Sequence, residues 1–357
     1  MTGRIAVFLL AEAGEEPGKI CCRLRPERLY RGCTMRCLYL HIGQPKTAST
    51  FLQNDVFPRL SGLDVALLPR VSNYRNHDAR RSGDGRLAEQ ITARSPILWT
   101  KHKAELEPAL LGTGSSRSRL VSDEMFFGNF RGAAEVLPHL RAIVEMARSR
   151  FDAVRILCLI RRQSTRLMSG YVQRSDAKLK AGQEDFEAFA RSMCDPHDER
   201  YRRGMAWEYG DLAAGLLDIV GPAGLFMRPY EELRHDPRTF LGGLMSFLQQ
   251  EPRSADALIE MLLHEGRQAN VRRLEQDLWQ ARRFNRLSEG ISRLDLLREP
   301  LTYLRRKYTA PSQIRLRPEI SEMILRSYEE TNRRAARLLN IDLARYGYVP
   351  TGEPEAP

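Results

Sequence analysis

The residues best equipped for chemistry in this 357-residue chain lie in one stretch, Leu38 to Gln53, which reads LYLHIGQPKTASTFLQ. Gly43, Pro45 and Lys46 are followed directly by Thr47, Ala48, Ser49 and Thr50. Small residues let backbone N–H groups approach an anion closely, and the start of a helix adds a partial positive charge. Lys46 supplies a point charge, and the hydroxyls of Thr47, Ser49 and Thr50 supply donors. The chemistry expected of such a strand–loop–helix is the cradling of a phosphate. Helix capping alone would account for Thr47 and Ser49, but not for Pro45-Lys46-Thr47 in series. The stretch is not the kinase-type G-x-x-x-x-G-K-[ST] loop, because Lys46 stands three positions after Gly43 with no glycine directly before it.

A second pattern, IRRQSTRLMSGYVQ over Ile160 to Gln173, places Arg161 at the end of an apolar strand and Ser169 eight residues later on the next helix. A guanidinium fork and a hydroxyl two helical turns along can grip one phosphate from two sides. Arg162 shifts the count by one, and Arg161 is the preferred ligand. The ordinary alternative is an exposed arginine pair, a helix serine and a packing tyrosine, Tyr171. A third segment, RPYEELRHDP, runs from Arg228 to Pro237.

Together these segments resemble the PAPS-dependent sulfotransferases, in the bacterial and carbohydrate-type branch. Their 5′-phosphosulfate loop runs close to P-K-T/S-G-T/S-T and continues to L-Q, which Leu52-Gln53 match. Arg161 and Ser169 match the family's 3′-phosphate motif, and RPYEELRHDP is similar to its late strand ending in Y-E-x-L before a D-P helix start. The resemblance covers Leu38 to Leu248. It implies transfer of the sulfuryl group of 3′-phosphoadenosine 5′-phosphosulfate (PAPS) to an acceptor hydroxyl or amine, with release of PAP and no required metal. Lys46, Thr47, Ala48, Ser49, Thr50, Arg161 and Ser169 would then bind the co-substrate, with Lys46 also catalytic. Ala48 replaces the usual glycine, so a negative φ is expected there. The resemblance also implies a late loop that closes the cofactor site, a role for which Asn270, Arg272 and Arg273 have the position and charge.

An acceptor hydroxyl needs a general base. Glu124, closing the strand RLVSDEM where related members carry S-x-E, is the first candidate, and a carboxylate beside an apolar strand end can have a raised pKa. Asp123 would point to the opposite face. His102, in TKHK, is the rival, because the small-molecule branch of the family uses a His after a strand.

These groups need a scaffold. Apolar runs predict strands at 38–42, 65–68, 119–125, 154–161 and 225–230, alternating with helices at 47–57, 132–149 and 205–220. Such alternation implies an α/β fold, a P-loop-like central parallel sheet flanked by helices, with ligands beyond the carboxyl ends of the strands. From about Pro252 the pattern turns helical, clearest at 271–287 and 318–339, and predicts a helical C-terminal cover. Residues 1–34 read as an irregular extension before a domain spanning 35–345, and 346–357 as a disordered tail ending TGEPEAP.

Composition agrees with a globular chain that meets acidic partners. The net charge is +11, carried mostly by arginine, which favours nucleotides, sulfated or uronic glycans, or nucleic acid. A glycan acceptor is the expectation. No nucleic-acid module is recognisable, and a nucleotide kinase or a basic nucleic-acid binder are the competing functions. No apolar run reaches the ~18 residues of a membrane span. The patch Ile5–Ala11 has one preceding arginine and no cleavage pattern, so no signal peptide is expected. Of Cys21, Cys22, Cys33, Cys37, Cys158 and Cys194, only Cys33 and Cys37 with His41 suggest a zinc spacing, and no second pair answers them. Reduced thiols in a cytoplasm fit better.

Overall fold

Five strands build the main sheet: β1 (Cys37–His41), β2 (Leu63–Leu67), β3 (Ser118–Ser122), β4 (Ala153–Ile160) and β5 (Leu225–Pro229), in spatial order β2-β3-β1-β4-β5. The computed structural model describes residues 35–44, 46–67, 103–114, 117–123, 126–127, 132–175, 181–265, 278–284 and 309–350, all within the unit Met35–Pro357. Every neighbouring pair in this sheet is parallel. Parallel pairing requires crossovers, which place helices on the faces and bury both of them.

The sequence of β1 shows the consequence. Leu38 and Leu40 join one core with Ile156, Cys158 and Ile160 of β4, whereas Cys37 and Tyr39 join the other with Leu157 and Leu159. Successive side chains point to opposite faces, so a strand buried on both sides reads as an unbroken apolar run. The first core is closed by helices Ala133–Ala147, Gln163–Arg174 and Tyr209–Val220. The second is closed by the helical stretch after β1 and by helices Pro237–Phe247 and Pro252–His264. Each fully buried Leu, Ile or Val contributes about 1.5–3 kcal/mol.

β1 is central, and its neighbours β3 and β4 lie on opposite sides. Its carboxyl end is therefore the point where connections diverge, where open α/β sheets leave a crevice for ligands.

The C-terminal region departs from expectation. Within the span where a helix was expected, 271–287, the described residues Leu278–Phe284 form a strand, β6, that pairs antiparallel with β7 (Thr309–Arg315). LWQARRF has the alternation of a half-buried strand: Trp279 and Ala281 enter the first core beside Ile314 of β7. Arginine is a good helix former, and that propensity masked a period of two set by a distant partner. The span 318–339 is helical as expected, but in two pieces, Pro318–Ser327 and Glu329–Leu339. Residues 346–350 are not a disordered tail: Tyr348 is fully buried and its hydroxyl donates to Glu231 at 2.7 Å.

Candidate anion-binding site

Beyond β1 the backbone makes a tight turn. The Ile42 N–H still bonds the Leu157 carbonyl at 3.0 Å, and Gly43 then passes close to two side chains. A Cβ at Gly43 would fall 2.5 Å from Ser49 Oγ and 2.8 Å from His41 Nε2, so only glycine fits without displacement. Thr47 is buried and its hydroxyl donates to the Gln44 carbonyl at 2.5 Å, which ties the loop back on itself.

Lys46 and Ala48 both have positive φ, 75° and 65°. The expectation of a negative φ at Ala48 is thus overturned: alanine occupies the left-handed conformation that glycine would adopt at no steric cost, and pays roughly 1–2 kcal/mol to do so. Left-handed residues in such a turn aim backbone N–H groups into a concavity that suits an anion. The helical stretch begins at Ser49, with Ala48 as its N-cap and no side-chain cap. It widens into π turns over Leu52–Val56 and ends in a 3₁₀ turn at Phe57–Arg59. Capping therefore explains neither Thr47 nor Ser49. Ser49 Oγ is buried without a hydrogen-bond partner among the described residues, a costly state for a hydroxyl that a bound anion would relieve. Lys46 is half-buried and Thr50 exposed.

The second pattern is built against this loop. Arg161, at the end of β4, is 6% exposed. Its Nη1 donates to the Lys46 carbonyl at 3.0 Å and its Nε to Thr165 Oγ1 at 3.2 Å. The ring of Tyr230, from the third segment, lies 5.0 Å from the guanidinium carbon. Arg162 instead gives its N–H to Glu231 Oε1 at 3.2 Å, and only Arg161 of the pair bonds the loop among the described contacts. Ser169 is buried on the following helix. Tyr171 packs edge-on to Phe186 with its hydroxyl donating to Asp185 at 2.5 Å.

Several contributors were not singled out from the sequence. Arg166 donates to Gln44 Oε1 and, at 3.5 Å, to the Tyr209 hydroxyl. The Tyr209 hydroxyl itself donates to the Arg161 carbonyl at 2.7 Å. Gln163 bonds Asn332 and the Trp207 carbonyl, and Asn332 bonds the Tyr348 carbonyl, so the C-terminal helix props the start of the Arg161 helix. At the end of β3, Ser122 Oγ lies 2.7 Å from His41 Nδ1 and accepts from Gln53 Nε2 at 3.0 Å. Gln53 is thus anchored beneath the loop. Gln53 was already marked by the L-Q continuation of the loop motif; for the others the signal was only a polar residue in an apolar pattern.

Glu124, His102, Asn270, Arg272 and Arg273 lie outside the described residues, as do Pro45 and Cys33. Asp123 is buried at the mouth of β3, its N–H donating to the His41 carbonyl at 3.1 Å. Among the described residues no group of three His, Cys, Asp or Glu side chains is placed to hold a metal ion, and no helix is long and apolar enough to cross a membrane.

No protein-family model and no curated protein matches this sequence. Solved structures do. A sulfotransferase from Alicyclobacillus acidocaldarius is similar over 88% of this chain and 99% of its own, with 12% identity and a TM-score of 0.48. A mouse sulfotransferase complexed with PAP is similar over 66% and 68%, with 12% identity and a TM-score of 0.36. The sulfotransferase domain of the Synechococcus PCC 7002 olefin synthase is similar over 61% and 74%, with 17% identity and a TM-score of 0.33.

Proposed function

We propose that this chain is a PAPS-dependent sulfotransferase of the bacterial or carbohydrate-type branch, moving a sulfuryl group to an acceptor hydroxyl, on a carbohydrate, and releasing PAP. The observation that carries this reading is the Arg161–Lys46 hydrogen bond. It joins the loop that resembles the family's 5′-phosphosulfate cradle to the strand end that resembles its 3′-phosphate grip. What further supports a fit is the buried hydroxyl of Ser49, which has no hydrogen-bond partner among the described residues, and the left-handed turn at Lys46 and Ala48.

In this reading Lys46, Thr47, Ala48, Ser49 and Thr50 hold the 5′-phosphosulfate, and Arg161 and Ser169 hold the 3′-phosphate. Displacement at sulfur is in line and builds charge on the bridging and leaving oxygens. Lys46 and the loop amides stabilise that charge as it develops. Glu124, following Ser122 and Asp123 at the carboxyl end of β3, takes the proton from the acceptor hydroxyl, with His102 the alternative base. Asn270, Arg272 and Arg273 close over the nucleotide. The catalytic unit begins near Met35. Free thiols at Cys37, Cys158 and Cys194 fit a cytoplasmic setting.

The test is turnover. Protein incubated with PAPS labelled in the sulfuryl group and a panel of oligosaccharides, with a chelator present, is expected to label an acceptor and yield PAP in equal amount. Phosphoryl transfer in a parallel assay with Mg-ATP and no chelator, with PAPS left intact in the first, would replace this reading with a kinase.

A further inference from the structure

Arg166 is a buried cation with no counter-charge among the described residues. Its side chain belongs to a residue only 3% exposed, and among the described residues no carboxylate forms an ion pair with it. Its contacts are neutral: Gln44 Oε1, the Tyr209 hydroxyl at 3.5 Å, and the Trp207 ring, whose centroid lies 5.2 Å from the guanidinium carbon. Burial pulls its pKa down from the ordinary value, and the groups that oppose this are Tyr209, Cys158 and Tyr328, none of them a carboxylate. Arginine does not give up its proton in a protein, so the charge stays. Burying an ion without a partner is costly even after relaxation, and replacing it with an apolar residue of like volume would remove that cost.

The position of the charge accounts for its retention. Gln44 is the residue after Gly43 in the loop, and its amide also donates to the Ala206 carbonyl at 3.2 Å. Arg166 therefore grips the loop from one side while Arg161 grips it at Lys46. Ser169 lies three positions further along the helix Gln163–Arg174, a spacing that puts it on the same helix face as Arg166. The guanidinium thus bonds the loop through Gln44 from a position one helical turn before Ser169.

We propose that Arg166 is a positioning residue of the anion site: it holds Gln44, and through it the loop, and its fixed positive charge finds its counter-charge in the bound nucleotide. This rests on the sulfotransferase reading, and it assigns to Arg166 a role separate from the ligands Lys46, Arg161 and Ser169.

The test compares PAP binding with the stability of the ligand-free protein, for wild type, Arg166→Met, Arg166→Lys and Gln44→Leu. For Arg166→Met we expect PAP to bind about tenfold or more weakly, the range of a lost charged hydrogen bond, while the ligand-free melting temperature stays level or rises. Arg166→Lys keeps the charge without the fork and should lose less affinity than Arg166→Met. Gln44→Leu should weaken PAP binding while leaving the cation in place. A purely structural arginine would give the opposite pattern, a lower melting temperature and unchanged affinity in the folded fraction, and that result overturns the proposal. If Arg166→Met does not fold, wild-type affinity in both Arg166→Lys and Gln44→Leu overturns it equally. Failure of wild type to bind PAP would count against the sulfotransferase reading itself, a different outcome from variants that bind as wild type does.

Discussion

The guanidinium of Arg161 donates to the backbone carbonyl of Lys46 at 3.0 Å, so the strand end of one motif is a structural part of the loop of the other. Neither half is set independently. Arg161→Lys should show this: a single ammonium cannot reach both Thr165 and the loop as the fork does. Affinity for PAP is expected to fall about tenfold or more with charge conserved, measured by calorimetric titration. Unchanged affinity would mean that charge alone is used.

Ala48 offers a test of backbone strain. Glycine normally weakens a folded protein by its entropy, but at φ 65° it relieves a Cβ clash of about 1–2 kcal/mol. Ala48→Gly should therefore leave stability level or raise it by up to about 1 kcal/mol, read from the midpoint of urea unfolding. Gly43→Ala should do the reverse, because its Cβ would collide with Ser49 Oγ and His41. A destabilised Ala48→Gly would show that the left-handed turn is not what the protein adopts.

Asn332 ties the C-terminal helix to the site. It bonds Gln163 and the Tyr348 carbonyl from a fully buried position. Asn332→Leu removes the donor to Gln163 Oε1 and to the buried Tyr348 carbonyl, at a cost of roughly 1–3 kcal/mol for each acceptor left unpaired. Thermal unfolding should register this, and PAP affinity should also drop because Gln163 opens the Arg161 helix.

Alkaline stability has a defined sign. Burial pushes the Cys158 thiol from its ordinary 9.0 up to about 12, and the Cys194 thiol up to about 11. Below pH 9 both thiols are protonated whether folded or unfolded, and their contribution is fully present. Above it the unfolded chain loses protons that the folded one keeps, so stability falls as pH rises toward 12. Cys158→Ala should flatten that fall in unfolding curves between pH 9 and 11, apart from any loss from packing at neutral pH. An identical slope in wild type and variant would rule out Cys158 as its source.

The sheet was legible because its strands are buried on both faces: CLYLH and AVRILCLI read as apolar runs that stop at glycine or a charged pair. The loop was legible because Lys46 and its hydroxyls sit where β1 ends. What escaped was non-local. Leu278–Phe284 is a strand because Thr309–Arg315 lies beside it, and nothing within seven arginine-rich residues specifies that partner. Ala48 was expected to avoid the left-handed region on its own propensity, but the loop imposes it. Arg166 looked like any helix arginine, since only the fold places it against Gln44 and away from water. Tyr348 lay next to a low-complexity end, and its burial depends on Glu231 and Asn332.

The measurement that bears most directly on the central claim is calorimetric titration of the full chain with PAP, for wild type, Lys46→Ala and Arg161→Ala. The two-motif clamp predicts that wild type binds PAP and that each substitution weakens binding by about tenfold or more, one acting at each end of the nucleotide. No binding by wild type, or affinity unchanged in both variants, would contradict it.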